Sequence, residues 1–250
     1  MRLEERRTLR YLLYLAIAGA VGAVLFFPAL YNFGLLFAPP RPVPATTPAL
    51  PPVRDAIWAR AEGGRATGLR PISAFTIGEL AACMVAAPGE NDNQRSAACG
   101  HVVPGMPGLE YLATLHIQDH GVERNSFRGG HAQFATIVWM TRSWTREEFL
   151  DTLAARGNYG FDWRGIDAAA RGYFGRAATE LTLPQVAMLA SRLGDLRVDP
   201  WCGPVHTTGL RNRVLERMRD NGTIDEPAYR QAQSAPLDLV TPPGNRPPCR

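Results

Sequence analysis

Residues 11–30 carry no charge, and the apolar run extends to Leu36. At about 1.5 Å of rise per residue, a helix over this stretch crosses a hydrocarbon layer of about 30 Å. Arg2, Arg6, Arg7 and Arg10 precede it and no charge follows until Arg41, so the positive-inside bias predicts a cytoplasmic N-terminus. The rest of the chain would then lie on the outer, periplasmic side. A cleaved signal peptide is the competing reading. Its apolar region is shorter, about 7–15 residues, and a cut near Ala18 or Ala20 would leave an apolar free end, so the uncleaved single-pass anchor is preferred.

Residues 39–53 lack periodicity and are dense in proline, the pattern of a stiff extended spacer that holds a domain off the bilayer. Residues 241–250 form a second Pro-rich stretch and read as a surface tail. Between them the signals are helical. Residues 76–87 are apolar with Thr76 placed as an N-cap, and 108–120 and 131–142 show mixed apolar faces. Residues 145–155 open Thr-Arg-Glu-Glu, a capping box with Glu148 three residues on. Thr182 caps a helix with an early Pro184, and 186–193 is apolar nearly all round, as at a domain centre. Over 207–221, Leu210, Val214, Leu215 and Met218 form one stripe, with Gly222 as the residue that ends it. Asp225 caps a last helix through Ala235. Alternating β-branched runs are missing, so strands should be few. The expected fold is mainly α, divided into an anchor (1–38), a linker (39–54), one domain (55–240) and a tail (241–250).

At 250 residues and 46% apolar content the chain is long enough for one substantial core plus the anchor. All 27 basic residues are Arg, which removes Schiff-base and Ser-Lys chemistry. Codon bias explains the missing Lys, and bidentate phosphate binding is the functional alternative. A net charge of +4 suits an anionic membrane surface or a pyrophosphate-bearing lipid, and nucleic acid is an unlikely partner for an exported domain. Cys83, Cys99, Cys202 and Cys249 allow three disulfide pairings. Cys83 with Cys99 and Cys202 with Cys249 are favoured, the first as a short loop and the second because it ties down the tail.

Three ordered blocks sit between residues 165 and 218: Gly-Ile-Asp-Ala-Ala-Ala-Arg-Gly-Tyr-Phe-Gly-Arg (165–176), Glu-Leu-Thr-Leu-Pro-Gln-Val-Ala-Met-Leu-Ala (180–190) and Arg-Asn-Arg-Val-Leu-Glu-Arg-Met (211–218). Together they resemble the C-terminal half of the peptidoglycan glycosyltransferase domain, glycosyltransferase family 51, of bifunctional penicillin-binding proteins and monofunctional transglycosylases. The resemblance implies a lysozyme-like helical domain that polymerises a lipid-linked disaccharide. In that family a first Glu acts as base on the acceptor hydroxyl. A second, in an Arg-Lys-x-x-Glu motif, organises the departing pyrophosphate.

Counted back from residues 145–150, the second Glu falls on Gln133 and the Arg-Lys pair on Gly129-Gly130, with Arg124 and Arg128 near enough to compensate in part. The first Glu-Asp pair falls on Pro88-Gly89, with Glu90 and Asp92 just beyond as catalytic candidates. The family's Gly-Gly-Ser-Thr-Ile-Thr-Gln-Gln motif has no counterpart unless residues 105–111 take its place. The Asn of its fourth motif is lost at Ala155. Arg211 and Arg213 keep the fifth motif, Leu210 standing where its first Arg would be. Gln133, Arg124, Arg128, Arg211 and Arg213 are therefore the expected substrate-binding set, and the resemblance also allows a divalent metal.

The expected function is a membrane-anchored peptidoglycan glycosyltransferase-like protein with degenerate catalytic carboxylates. Its partners would be lipid-linked precursor or glycan strand, the inner membrane and other cell-wall synthesis proteins. The alternative is a catalytically silent relative that binds precursor or glycan or acts as a scaffold; lytic cleavage rests on fold analogy alone. His116 and His120 stand at i and i+4 with Asp119 beside them, a spacing that can hold zinc, yet a third ligand is not evident. The plainer reading puts both imidazoles on a polar helix face near a groove. Trp139, Trp144 and Trp163 read as packing residues.

Overall fold

The computed structural model describes residues 2–89, 91, 98–194, 199–242, 244 and 249. Glu90 and Asp92 lie outside them. The helices are α1 (Arg2–Leu35), α2 (Pro51–Arg60), α3 (Ala74–Ala86), α4 (Met106–Asp119), α5 (Phe127–Ser143), α6 (Arg146–Arg156), α7 (Ile166–Phe174), α8 (Leu183–Arg192), α9 (Pro204–Asn221) and α10 (Glu226–Ser234), with a 3-10 turn at Ala178–Glu180. Among the described residues the only β-type pairing is an isolated bridge between Asn158 and Arg164. The fold is mainly helical.

Helix α8 is the centre. Thr182 is its N-cap, its amide donating to Gln185 Oε1 at 3.0 Å, and every residue from Pro184 to Arg192 is buried. Helices α2, α7, α9 and α10 pack around it, and Val214, Leu215 and Met218 supply the inner face of α9. A second group of helices, α1, α4 and α5, stands beside this core, with α6 touching both α2 and α4. The Thr145 capping box that starts α6 is formed, and Gly222 ends α9 in the left-handed region. Helix α3 starts earlier than its pattern suggested. Ser73 is its N-cap, and the Thr76 hydroxyl donates back to the Pro71 carbonyl. Disulfides join Cys83 to Cys99 and Cys202 to Cys249.

The last turns of α1 lie on α5. Phe27 meets Phe134 edge to face, the Arg142 guanidinium sits over Phe27 and Tyr31, and Gly34 faces the His131 carbonyl so closely that a Cβ would stand 2.6 Å from it. Among the described residues no helix is long and apolar enough to cross a membrane. The anchor expected over residues 11–30 falls partly on side chains outside that set.

The spacer reading of residues 39–53 needs correcting, because this segment is strapped to the body and its end is already α2. The Pro40 carbonyl is 2.7 Å from His116 Nε2, and the Arg41 guanidinium stacks 4.0 Å above the Trp139 ring. The Ala45 amide donates to Thr152 Oγ1, and the Ala49 amide donates to Asp151. Arg54 then makes a bidentate pair with Asp151 at 2.7 Å on both arms. Consecutive prolines at the start of α2 are compatible with helix, because first-turn amides have no intrahelical acceptor.

His116 is a correction of the same kind. It is buried, its ring 4.6 Å from that of His120, while Asp119 beside them is tied to Arg156 and Arg164. With Nε2 bonded to Pro40 and Nδ1 buried without a partner, the neutral ring is favoured. Burial holds its pKa below the usual histidine value, with His120 and Arg156 adding to the effect and the Pro40 carbonyl and Asp119 opposing it. The folded state therefore takes up a proton less readily than the unfolded chain. The stability contributed by neutral His116 is present above about pH 6.5 and is lost as pH falls through the depressed folded value. Denaturant midpoints of wild type and His116→Gln measured at pH 7.5 and 5.5 should converge at the lower pH; a gap that widens on acidification would be the wrong sign.

Candidate functional site

Two neighbouring regions hold chemistry-bearing side chains. The first is the contact between α4 and α5. Gln133 is half-buried, and its amide donates to the Glu110 carbonyl at 3.1 Å and to Thr114 Oγ1 at 2.8 Å. Thr114 Oγ1 in turn donates to the Glu110 carbonyl at 2.7 Å. Gln133 thus bolts α5 to α4, with its amide hydrogens engaged.

Glu110 is one carboxylate that the sequence reading passed over. Desolvation pushes its pKa up although the residue as a whole is exposed, and the Arg124 charge pulls the other way. Arg124 and Arg128 are themselves exposed. Arg128 lies 5.9 Å from the Phe37 ring, beside a cavity of about 480 Å³ between the end of α1 and the turn into α5.

Two glycines stand at 129 and 130, and the backbone gives them different reasons. Ser126 caps α5 by accepting from the Gly129 amide, which pulls the preceding turn tight against the helix. A Cβ at Gly129 would stand 2.0 Å from the Glu123 carbonyl oxygen and 2.7 Å from that of Arg124. Gly130 faces open space. A side chain at 129 is therefore excluded by backbone, whereas 130 is free to take one.

The second region surrounds the C-terminus of α2. The Gly63 amide donates to the Trp58 carbonyl at 3.0 Å and the Glu62 amide to Ala59 at 3.3 Å, a Schellman-type ending. This leaves Glu62 with φ of 61°, where glycine is the usual occupant. Gly63 cannot exchange places with it, because a Cβ there would meet the Trp58 ring at 1.9 Å. Glu62 Oε1 accepts from Arg217 of α9 at 2.8 Å. Arg60, Glu62, Ser191, Leu210, Arg213 and Arg217 line a cavity of about 210 Å³. Arg60 also borders a second hollow of about 170 Å³ with Pro107, Gly108 and Tyr111, where the start of α4 abuts α2.

The expected substrate-binding residues are thus divided. Gln133 and Arg124 are brought near each other through Glu110, and Arg213 opens on the α2 pocket. Arg211 is displaced from the expected role by burial. Its guanidinium donates to the Ala235 and Gln233 carbonyls at 2.8 and 2.6 Å, closing the end of α10, and desolvation lowers its pKa. Gln133 and Arg211 stand on α5 and α9, which pack against different neighbours. Residues 105–111 form the start of α4, with Gly105 and Gly108 pressed on Trp58, Ala61 and Phe149. Among the described residues no three His, Cys, Asp or Glu side chains converge as metal ligands, so no step is derived through a metal.

The transglycosylase family model matches residues 113–219, from the middle of α4 through α9. Penicillin-binding protein 1A of Pseudomonas aeruginosa is 33% identical over 143 residues, 52% of this chain and 17% of that protein. Penicillin-binding protein 1A of Streptococcus pneumoniae is 33% identical over 161 residues, 52% of this chain and 22% of its own length. Penicillin-binding protein 1C of Escherichia coli is 30% identical over 144 residues, 56% of this chain and 18% of its own. The chain spans about a fifth of the length of these curated relatives. The crystal structure of penicillin-binding protein 1A from Haemophilus influenzae overlaps 53% of this chain and 16% of that one at 22% identity, with a TM-score of 0.36.

The glycine pair supplies a direct test. Gly129→Ala should destabilise the fold by about 1–3 kcal/mol, because the Cβ meets backbone. Gly130→Ala should be neutral or stabilising by up to about 1 kcal/mol, as for an exposed helical glycine. Thermal unfolding of both variants would show the split, and equal effects would remove the steric account.

Proposed function

We propose that this chain is a membrane-anchored, extracytoplasmic relative of the peptidoglycan transglycosylases. In this reading it holds lipid-linked disaccharide or a glycan strand without polymerising it, and its helical body has the family's lysozyme-like architecture. The observation that carries the reading is the seam between α4 and α5. The residue at the second carboxylate position is an amide spent on holding two helices together, and the neighbouring cation position is closed by backbone at Gly129. A leaving pyrophosphate needs fixed positive charge as its bond breaks, and this seam offers none in the family's positions.

The anchor is supported by the uncharged stretch at 11–30, by the arginines before it, and by a helix that continues from it onto α5. A lipid-linked ligand lives at a membrane surface, so a tethered body meets it without a search through solution. Other cell-wall synthesis proteins are the natural protein partners for such a domain.

A second reading, surviving glycosyl transfer, is favoured by one observation: the raised pKa of Glu110 suits a group that exchanges a proton with a sugar hydroxyl. The two are separated by incubating the full chain in detergent with labelled lipid-linked disaccharide. We expect saturable binding, no glycan strands on a gel, and binding unchanged in Glu90→Ala and Asp92→Ala. Polymer that disappears in Glu110→Gln would replace the first reading with the second. Neither binding nor polymer would overturn both.

A further inference from the structure

We propose that α3 lies in the surface of a lipid bilayer, so that the body is held against the membrane by a second element besides its anchor. Phe75, Ile77, Gly78, Ala82 and Val85 are among the exposed residues of α3, and every exposed position on it is Phe, Ile, Val, Ala or Gly. At about 3.6 residues per turn these positions fill one unbroken half of the helix circumference. Phe75 is 77% and Val85 87% exposed, while the opposite half, with Thr76, Leu80 and Cys83, turns to the body. A surface helix of a water-soluble domain shows the reverse, with its polar side chains outward. Glu79, the one ionisable group of α3, stands at the edge of the bare half. It is paired with Arg70, which also donates to the Val102 carbonyl at 3.1 Å.

The level of this face along α1 names its occupant, on the anchored reading in which residues 11–30 cross the bilayer. At about 1.5 Å per residue that stretch fills a hydrocarbon layer of about 30 Å, which puts the outer boundary near residue 30. Arg142 ties α3 to this level. Its guanidinium sits over Phe27 and Tyr31 of α1 and donates twice to the carbonyl of Ile72, two residues before α3 begins, at 3.1 and 2.9 Å. Helix α3 also touches α1 directly. Its start is therefore pinned where hydrocarbon gives way to headgroups. With 13 residues, about 20 Å, α3 is too short to cross and lies along that surface. Phe, Ile and Val with small residues between them suit acyl chains, whereas the Trp, Tyr and Arg anchors that carry protein–protein contacts are absent from the face.

The contact is independent of any sugar ligand. The test places the full chain in phosphatidylcholine vesicles that carry a photoactivatable diazirine phosphatidylcholine and maps the lipid adducts by peptide mass spectrometry. We expect adducts on α1 and on residues 75–86, the latter at least about fivefold above those on the exposed, charged helix α10. Phe75→Ser combined with Val85→Ser should lower the labelling of α3 several-fold and leave the unfolding midpoint in detergent unchanged, because both side chains are exposed. Adducts on α1 alone would overturn the proposal and leave the anchor standing, whereas adducts on neither helix would overturn the anchored reading with it. Sedimentation of the chain in detergent supplies a further check: a dimer that the double variant dissolves would assign the face to a second copy and sink the proposal. Undiminished labelling of α3 in the double variant would sink it too.

Discussion

The enclosure of α8 on every side is the constraint from which the other placements follow. Pro184 through Arg192 are buried without exception, so this helix has no solvent face on which to rest. Burying Val186, Met188 and Leu189 gains about 2 kcal/mol each, but only if partners close the full circumference. Helices α2, α7, α9 and α10 supply that closure. The Arg192 guanidinium at its end cannot stay unbonded in such surroundings, and it reaches the Tyr173 hydroxyl on α7. Tyr173 passes the constraint on by donating to the Tyr159 carbonyl at 2.7 Å, which fixes the loop between α6 and α7.

Because α2 and α9 both lean on α8, the end of one is set beside the flank of the other. That juxtaposition brings Glu62 to Arg217, and the Arg65 side chain to the Asp220 carbonyl at 3.0 Å. The indole of Trp58 closes the turn from inside, donating to the Gly64 carbonyl while its ring fills the space where a Cβ on Gly63 would be. The strained position of Glu62 is thus over-determined by its neighbours, which is the condition under which left-handed backbone persists at a non-glycine residue.

What could be read from the chain alone divides along the same line. The capping box at Thr145, the N-cap position of Thr182, the all-round burial of α8, the stripe on α9 and the glycine that ends it are local or periodic signals, and each has its physical counterpart in the fold. The first helix of the core was hidden because Pro51-Pro52 reads as the end of a proline-rich spacer, although proline is at home in a first turn. With α2 unseen, Glu62 had no context, and the signal that could have found it was an acidic residue placed just before Gly63-Gly64 at a helix end. Arg211 and His116 are illegible in the sequence for a different reason. Their partners are backbone carbonyls, of residues 233 and 235 for Arg211 and of residue 40 for His116, and carbonyls leave no mark in a sequence.

The distribution of positive charge gives the last step. The start of α5 holds no cation at residues 129 and 130, which are both glycine. Here the Ser126 cap draws residues 123 and 124 across that turn, and Gly129 is the residue that tolerates the crossing. Arg60, Arg213 and Arg217 instead line one cavity about the end of α2. Electrostatic stabilisation acts through fixed geometry, so guanidinium groups on α2 and α9 do not act at the seam between α4 and α5.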